Sequence, residues 1–486
     1  MSRILLKLRL KTMLESIILY GIISIQMLFL NRHAELDRLA SLAADPGPRL
    51  AVLYGRRRVG KTRLLLEWTQ RYPNALYTVA DQSSADIQRQ YFAASLTRVF
   101  PSFADVTYPS WAALFARLTS EAKATGWKGP LVIDELPYLA LAAPEIASVL
   151  QRWFDHDAGN IKLALSGSSQ RMMQGLVLSA SAPLFGRAHE LFEVRPLSPV
   201  ELAKAFNIKD DPQQIVRLYT AWGGVPRYWE LAQNTELTDV LKQVDRLVLD
   251  PLGPLHNEPD TLLMEELPPA IELRPLLDAI GLGAHRLSEI GGRLNRATTA
   301  LSKPIARLQE MGLIQRETPF GEPEQGGKRS LYKLADPFVR LWFKVVAPAR
   351  AILAAGSQRT RMGHLQQKWE GLVAATWEEL CRTQTINFGF EPGKRWWHGN
   401  APEWDVVCRS IDRSTVLVGE AKWSNKRFSA SEIESLARMV AKKPLPPSLT
   451  SERVRRVLFV PRTAKTQVEV AGVEIVTGTT LLSEPV

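Results

Sequence analysis

The chain has 486 residues, of which 45% are hydrophobic and 23% are charged, and its formal net charge is +11. This length leaves room for about three domains with ordinary folded cores. Its two cysteines, Cys381 and Cys408, are too few for a disulfide framework, and with only 7 histidines in the chain a structural zinc site is not expected. A reducing cytoplasm is therefore the expected location.

The excess positive charge lies almost entirely in the second half of the chain. Residues 1–271 contain 29 Lys/Arg and 28 Asp/Glu, a net charge of +1, whereas residues 272–486 contain 32 and 22, a net charge of +10. A nucleic-acid partner, with DNA as the first candidate, requires such an excess because Lys and Arg neutralise phosphates and release counterions. A generally basic protein would show the same balance, so the charge alone does not decide the partner.

The N-terminus contains an apolar run of 14 residues, Ile17–Leu30, after a basic start. The run is shorter than the roughly 20 residues of a membrane-spanning helix. It also lacks the small-residue cleavage site of a signal peptide. We expect residues 1–26 to be an extension, with Met27 as an alternative start. A membrane anchor is the less favoured interpretation.

The stretch GRRRVGKT, Gly55–Thr62, fits the pattern G-x-x-x-x-G-K-[ST] between an apolar run and a helix-forming segment. Its glycines permit backbone angles that let consecutive N–H groups surround a phosphate at the N-terminus of a helix. Lys61 would contact the β- and γ-phosphates of ATP, and the Thr62 hydroxyl would bind Mg²⁺. The three arginine side chains are expected to be solvated. The residues expected around the nucleotide are Gly55, Arg56, Arg57, Arg58, Val59, Gly60, Lys61, Thr62 and Arg63.

A second acidic landmark follows the apolar run Leu131–Asp134. Continuous apolar runs are typical of parallel strands that are covered on both faces. Ligands bind at the carboxyl ends of such strands, so Asp134 is expected to hold Mg²⁺, directly or through water. Glu135 would orient or deprotonate the attacking water.

The run Ile161–Ser169 predicts another strand, which ends in a cluster of hydroxyls. Ser166 or Ser168 would sense the γ-phosphate, although an ordinary polar loop has the same composition. Further along the chain, Arg187 would stabilise charge on the transferring phosphoryl group. A surface salt bridge is an equally good interpretation of Arg187.

These motifs resemble the AAA-type and STAND-like P-loop ATPases, and more narrowly the archaeal and bacterial ATPase family, over about Phe29 to Asp250. The stretches that carry the resemblance are FLNRHAELDRL, YGRRRVGKT, LVIDELPYL, LALSGSS, LFGRAHELFEVRPLSP and AWGGVPRY. The resemblance implies an α/β domain over residues 27–250, with a parallel sheet and a helical lid. It also implies ATP hydrolysis coupled to conformational change. Arg187 would then act within its own chain or across the interface of a homo-oligomer.

The middle of the chain predicts a linker at residues 251–271, which are rich in proline and acidic residues, and then a winged helix-turn-helix at residues 272–335. Three helical segments and an alternating hairpin support the second prediction. The third helix of such a module usually contacts the DNA major groove. Packing against another protein domain remains open as the alternative. The basic residues expected to face nucleic acid are Lys303, Arg307, Lys328 and Arg329.

Two neighbouring strands are predicted near the C-terminus, one containing Asp405 and the other containing Glu420 and Lys422. Residues two apart in a strand share a face, so Glu420 and Lys422 would meet Asp405 at one place. Two carboxylates and a lysine can bind Mg²⁺, activate water and stabilise phosphoryl charge. Glu370, on a preceding helix, is a further candidate for the metal site.

This D…E-x-K arrangement resembles the PD-(D/E)xK nuclease superfamily, and more narrowly a C-terminal domain of unknown function fused to many archaeal ATPases. The resemblance covers about Asp336 to Pro461, and Glu403 replaces the proline-aspartate pair of the motif's name. It implies a small α/β nuclease-like domain at residues 336–463, followed by a tail or strand at residues 464–486.

Together these predictions describe a multidomain ATPase that acts on nucleic acid, with Asp405, Glu420 and Lys422 cleaving phosphodiesters under the control of ATP. An ATP-dependent regulatory switch with an inactive nuclease-like domain is the alternative.

Overall fold

The structure is a computed structural model that describes residues 29–266, 270–323, 329–399, 401–449, 452–464 and 469–483. The predicted extension at residues 1–26 and the predicted nucleic-acid contact Lys328 lie outside these ranges. Within them, no helix combines the length and the apolar character that a membrane span requires.

The first domain is built on a five-stranded sheet in which every paired strand is parallel, in the order β2-β3-β4-β1-β5. Its strands are β1 (Arg49–Tyr54), β2 (Leu76–Val79), β3 (Leu131–Asp134), β4 (Lys162–Gly167) and β5 (Glu190–Glu193). Alternate residues of β1 enter two different cores, because Leu50 and Val52 pack on one face and Ala51 and Leu53 on the other. Burial on both faces explains the continuous apolar sequences of these strands and confirms the predicted α/β fold.

Helices cover both faces of this sheet. They are α1 (His33–Ala44), α2 (Lys61–Thr69), α3 (Ala85–Leu96), α4 (Trp111–Thr125), α5 (Leu136–Ala142), α6 (Ile146–His156) and α7 (Gln170–Met173). The N-termini of α2 and α5 follow the carboxyl ends of β1 and β3, so the phosphate loop and Glu135 lie at the same edge of the sheet.

A helical region follows β5. Its helices are α8 (Pro199–Ala205), α9 (Pro212–Trp222), α10 (Pro226–Gln233), α11 (Val240–Val244), α12 (Glu258–Glu265), α13 (Arg274–Gly281), α14 (Leu287–Leu294), α15 (Thr298–Glu310), α16 (Pro337–Leu341), α17 (Arg350–Ala355) and α18 (Gln358–Thr383). The strands β6 (Ile314–Glu317) and β7 (Leu331–Leu334) form an antiparallel hairpin after α15. The three helices and the hairpin expected in residues 272–335 are thus present.

One hydrophobic core joins helices α8–α12, helices α13–α15 and α18. The predicted linker at residues 251–271 is wrong, because these residues include the helix α12, whose Leu262 and Leu263 side chains are buried. Three of the acidic residues in this segment, Glu258, Glu265 and Glu266, have partners in the ATPase domain, and the fourth, Asp260, pairs with Arg274 and Arg350 further along the chain.

The C-terminal region contains a six-stranded mixed sheet in the order β12-β13-β11-β10-β9-β8. Its strands and helices are β8 (Lys394–Trp396), β9 (Trp404–Arg409), β10 (Val416–Ala421), α19 (Ala430–Lys442), β11 (Val454–Val460), β12 (Glu469–Val470), β13 (Val473–Thr477) and α20 (Gly478–Leu481). Of the two interpretations of residues 464–486, a tail or a strand, the described part contains a strand, because β13 pairs in parallel with β11 and Val473 and Val476 are buried in the domain.

Candidate functional site

The phosphate loop connects β1 to α2. Gly55 has a φ of 143°, and a Cβ at this position would lie 2.4 Å from the carbonyl oxygen of Val194, so a side chain has no room. Gly60 has a φ of 99° and precedes the first residue of α2. The Lys61 Nζ donates hydrogen bonds to the carbonyl oxygens of Gly55 (2.9 Å) and Arg56 (3.0 Å). Burial lowers the pKa of Lys61, while the nearby carboxylates of Glu135 and Asp134 act to raise it.

Asp134 ends β3 and lies beside the first turn of α2. Its Oδ2 accepts hydrogen bonds from the hydroxyls of Thr62 (2.8 Å) and Tyr77 (2.5 Å), and its Oδ1 accepts one from the backbone N–H of Glu135 (2.9 Å). Burial and the Asp134 charge hold the pKa of Tyr77 well above its usual value, so this phenol stays protonated. A hydroxyl and a carboxylate are oxygen ligands of the kind that Mg²⁺ prefers. The described residues therefore fit a magnesium ion here, and Tyr77 is a member that sequence reasoning missed.

Glu135 occupies the N-cap of α5 with a φ of 55°, a left-handed conformation that is uncommon for a residue other than glycine. Its Oε2 accepts hydrogen bonds from the hydroxyl (2.8 Å) and the backbone N–H (3.3 Å) of Ser168. The structure thus joins two predicted site residues from neighbouring strands. The other serine candidate, Ser166, is fully buried in β4.

Arg56 is not solvated, contrary to the sequence prediction. Its NH1 lies 2.9 Å from Oδ2 of Asp336, and both side chains are buried. Asp336 is also the N-cap of α16, where its Oδ1 accepts a hydrogen bond from the N–H of Val339 (3.0 Å). The start of the phosphate loop is therefore bound directly, through Arg56, to the helix that follows the hairpin β6–β7.

The next two arginines of the loop bind α12. Arg57 donates to the carbonyl oxygen of Glu265 (2.8 Å), and Arg58 forms an ion pair with Glu258. Glu258 is buried and also accepts a hydrogen bond from the Tyr228 hydroxyl (2.7 Å). The prediction of solvated arginines failed because their acidic partners lie about 200 residues further along the chain. Of the remaining loop positions, Val59 is buried and Arg63 is half-buried on α2.

Arg187 lies at the opposite edge of the sheet from the phosphate loop. It precedes β5, and the N–H of the nearby His189 donates to the carbonyl oxygen of Leu50 at the start of β1. Its guanidinium forms two hydrogen bonds of 2.8 Å with the Asp155 carboxylate. The predicted contact with a phosphate of its own chain is therefore corrected, and the surface salt bridge is what the structure contains.

The residues on α15 and the hairpin predicted to contact nucleic acid differ in whether a carboxylate pairs with their charge. Lys303 is exposed. Arg307 donates to Oε1 of Glu272 (2.8 Å), and Arg329 forms an ion pair with Glu322. Only Lys303 among the described candidates thus presents its charge without a carboxylate partner.

The C-terminal sheet brings Asp405, Glu420 and Lys422 together as predicted. Oδ2 of Asp405 accepts a hydrogen bond from the N–H of Ala421 (3.0 Å). Lys422 Nζ lies 2.8 Å from Oε2 of Glu420 and 3.8 Å from Oδ2 of Asp405. The second oxygen of Glu420 forms an ion pair with Lys443, a residue that sequence reasoning missed. We refer to these four side chains as the carboxylate–lysine cluster.

The predicted metal site in this cluster does not fit the side chains present. Glu370 faces Trp423, whose Nε1 donates to its Oε2 (3.3 Å). Glu378, two turns further along α18, is the acid that lies close to Asp405. Burial raises the pKa of Glu378, and the charge of Asp405 raises it further. Both oxygens of Glu420 bind ammonium groups. In the part of the chain that the structure describes, no three His, Cys, Asp or Glu side chains are placed to share a metal ion.

Comparisons with known proteins find two family matches in separate parts of the chain. Residues 29–231 match a family described as an ATPase domain predominantly from Archaea, and residues 342–435 match a family of archaeal and bacterial proteins of unknown function. The chain therefore carries an ATPase domain. An uncharacterised protein of Methanocaldococcus jannaschii is 27% identical over 409 residues, which cover 82% of this chain and 88% of that protein.

Solved structures are similar at lower identity. The ORC2 protein of Aeropyrum pernix is 14% identical with a TM-score of 0.42, over 71% of this chain and 96% of that chain. Cdc6p of Pyrobaculum aerophilum is 15% identical with a TM-score of 0.35, over 70% of this chain and 95% of that chain.

Proposed function

We propose that this protein is an ATP-hydrolysing switch whose nucleotide state is transmitted from the phosphate loop to C-terminal regions that bind nucleic acid. The observation that supports this proposal most strongly is the buried ion pair between Arg56 and Asp336. Arg56 belongs to the loop expected to surround the phosphates, and Asp336 begins the helix that leads into the basic half of the chain.

The proposed roles follow from the contacts around Asp134. Lys61 would hold the β- and γ-phosphates, and Thr62 and Asp134 would hold Mg²⁺, which offsets phosphate charge when bound. Glu135 would accept a proton from the attacking water or orient it, and the two hydrogen bonds from Ser168 fix the position of its carboxylate. A base must be held within hydrogen-bond reach of the proton that it accepts, which gives Ser168 a positioning role.

Transmission depends on how costly the loop contacts are to break. A buried ion pair that loses one partner leaves an uncompensated charge, which costs about 3–5 kcal/mol. A shift of the loop around a triphosphate would therefore move α16 with Arg56, or move α12 with Arg58, rather than leave a charge unpaired. The ion pairs thus couple the loop to both helices.

The carboxylate–lysine cluster favours binding over cleavage. Glu420 is neutralised by Lys422 and Lys443, and a carboxylate with both oxygens paired in this way is not available to a metal ion. We therefore favour the alternative that the sequence left open, an inactive nuclease-like domain. We propose that this domain is the part of the switch that contacts nucleic acid.

The test is an assay of ATP hydrolysis and of cleavage on single- and double-stranded DNA and RNA with Mg²⁺ or Mn²⁺. We expect the wild type to hydrolyse ATP and Lys61→Ala to lose this activity, while the exposed control Lys128→Ala retains it. We expect no substrate to be cut. Cutting that requires ATP and is abolished by Lys422→Ala would establish a nuclease instead, and a wild type that does not hydrolyse ATP would overturn the switch.

A further inference from the structure

A large cleft separates the hairpin from the long helix α18. Its volume is about 1240 Å³. Strands β6 and β7 and the end of α13 line one wall, and α18 and β8 line the other. Sites for small molecules usually measure about 300–1,000 Å³, so this cleft has room for a larger ligand.

The lining of the cleft is strongly basic. Eight Lys and Arg side chains line it, against three carboxylates. Two of these carboxylates are already paired, Glu317 with Lys333 and Glu379 with Arg340. The positive charge is therefore in excess, and the local acids do not cancel it.

Three of the cations form no ion pair with a carboxylate anywhere in the described ranges: Lys344, Lys368 and Arg382. Lys368 Nζ donates to the carbonyl oxygen of Lys344 (2.8 Å), which keeps the two lysines close. Burial and then the charge of Lys344 lower the pKa of Lys368. Arg382 donates to the carbonyl oxygen of Asp405 (3.2 Å) rather than to a carboxylate. An anion placed between these groups would relieve their mutual repulsion.

The spacing of these cations defines the length of the site. Lys368 and Arg382 are 14 residues apart on α18, which corresponds to about 21 Å and close to four complete turns. They therefore lie on the same face of the helix. Phosphates of a stacked strand follow one another at about 3.4 Å, so this row matches about six nucleotides.

We propose that this cleft holds a single strand of nucleic acid by its phosphate backbone. The inference rests on the proposed function and assigns a substrate class to its C-terminal arm. Elements that read a duplex are convex and enter its grooves, whereas a basic groove with two walls is typical of single-strand binding. Among the described side chains of the lining there is no Phe, Tyr or Trp to stack on bases. Binding is therefore expected to depend strongly on salt and little on sequence.

The cleft also leads to the carboxylate–lysine cluster. Arg382 contacts the backbone of Asp405, and Glu378 lies on the cleft wall close to that carboxylate. A strand that follows α18 from Lys368 to Arg382 would end beside Lys422. The cluster would then contact one terminal phosphate of the bound segment.

The test uses the full chain, fluorescently labelled 12-nucleotide single-stranded DNA and RNA of mixed sequence, and a 12-base-pair duplex, with affinity measured by anisotropy. The variant is Lys344→Gln with Lys368→Gln, and the matched control is Lys123→Gln with Lys128→Gln, two exposed lysines outside the cleft. We expect the cleft variant to bind single strands about tenfold more weakly and its salt dependence to fall by about 1.4 in log–log slope, at about 0.7 for each lost phosphate contact. The control is expected to match the wild type, and thermal melting verifies that both variants fold.

Each outcome bears on the inference separately from the proposed function. Equal binding by the cleft variant and the wild type would overturn the proposal that the cleft holds a single strand. A wild type that binds only the duplex would overturn it as well. Both results would leave the proposed nucleic-acid-binding switch in place. A wild type that binds none of the three probes would overturn both proposals. A preference for single-stranded DNA or for single-stranded RNA decides which of the two the cleft binds, and either preference supports the proposal.

Discussion

The two acidic sites of the molecule look alike in the sequence and differ in what their carboxylates contact. Asp134 ends a strand of the first sheet and accepts hydrogen bonds only from uncharged groups, two hydroxyls and one backbone N–H. Glu420 lies near the end of a strand of the second sheet and forms ion pairs with two ammonium groups. The first carboxylate keeps its charge for a cation, whereas the second is already neutralised.

The difference shows that a pattern of acids at strand ends does not define a metal site. The lysine of the first site, Lys61, donates to two loop carbonyls and leaves Asp134 without an ammonium partner. In the second site, Lys422 and Lys443 converge on one glutamate. The partners of the lysines, more than the presence of the acids, therefore distinguish the two sites.

The largest effect on stability is expected from removing the charge of Asp336, which pairs with Arg56 of the phosphate loop. Asp336→Asn keeps a good N-cap for α16 but leaves Arg56 without its carboxylate. We expect the free energy of unfolding to fall by about 3–5 kcal/mol, measured by urea denaturation. The more exposed pair Arg329–Glu322 is the control, because its arginine is 40% exposed, and Glu322→Gln should cost at most about 1 kcal/mol. Equal losses in the two variants would mean that the buried pair has no special role.

Replacing Lys61, the lysine of the first site, should slow ATP hydrolysis. Lys61→Ala removes the side chain that would meet the charge developing on the phosphates, and we expect kcat for ATP hydrolysis to fall about 10²–10³-fold. Steady-state kinetics with Lys128→Ala as the control would measure this. A variant that retains more than half of the wild-type kcat would contradict the role given to the loop.

Replacing Glu420 in the second site should lower the free energy of unfolding. Glu420→Gln removes the buried carboxylate that the partly exposed Lys422 and Lys443 share, and a hydrogen bond to a charged group is worth about 1.5–3 kcal/mol. The matched control is Glu434→Gln, which breaks only the exposed helical pair with Arg438 and should cost about 0.5 kcal/mol or less. If Mg²⁺ raised the melting temperature of the nucleotide-free wild type but not that of Glu420→Gln, the conclusion that this glutamate is neutralised would be wrong.

A smaller effect is expected at the serine that holds Glu135. Ser168→Ala removes the hydroxyl donor at 2.8 Å and keeps the weaker backbone N–H contact. We expect kcat to fall about tenfold with little change in the KM for ATP, since one hydrogen bond to a charged group is worth about 1.5–3 kcal/mol and part of it remains. An increase in KM with unchanged kcat would show that Ser168 contacts the nucleotide instead of positioning Glu135.

The smallest effect concerns pH. Burial lowers the pKa of His285, whose Nδ1 lies 3.0 Å from the carbonyl oxygen of Tyr332 on β7. The folded state therefore binds this proton less readily than the unfolded state, so the stabilising contribution is complete above about pH 6.5 and is lost as the pH falls below it. The melting temperature of the wild type should drop more between pH 7.5 and 5.5 than that of His285→Gln. Parallel curves would exclude the histidine as a source of the pH dependence.

The sequence predicted the local features of the first site well. The run Leu131–Asp134 is strand β3 with the predicted bounds, and Gly55 and Gly60 have the positive φ angles that the loop motif requires. These features depend on residue type and spacing within a few positions. Leu301, Ile305 and Leu308 are likewise buried together on α15, as their helical spacing indicates.

Contacts between distant segments could not be predicted in the same way. Nothing near Arg56 in the sequence indicates that its partner is Asp336, and nothing near Glu420 indicates Lys443. The helix acid was placed at Glu370 although Glu378 is the one close to Asp405, because both lie on α18 and only the packing of the helix on β9 selects between them. Side-chain charge identifies candidates, and tertiary structure decides which of them meet.

The most direct test of the switch is the affinity of the full chain for single-stranded DNA with and without a non-hydrolysable ATP analogue, in the wild type and in Asp336→Asn. A coupling free energy of about 1–3 kcal/mol is typical of linked sites, so the wild-type affinity should change about 5- to 150-fold with the analogue. The same comparison in Asp336→Asn should show little or no change. Equal wild-type affinity in both conditions would contradict transmission from the phosphate loop, whatever the rate of ATP hydrolysis.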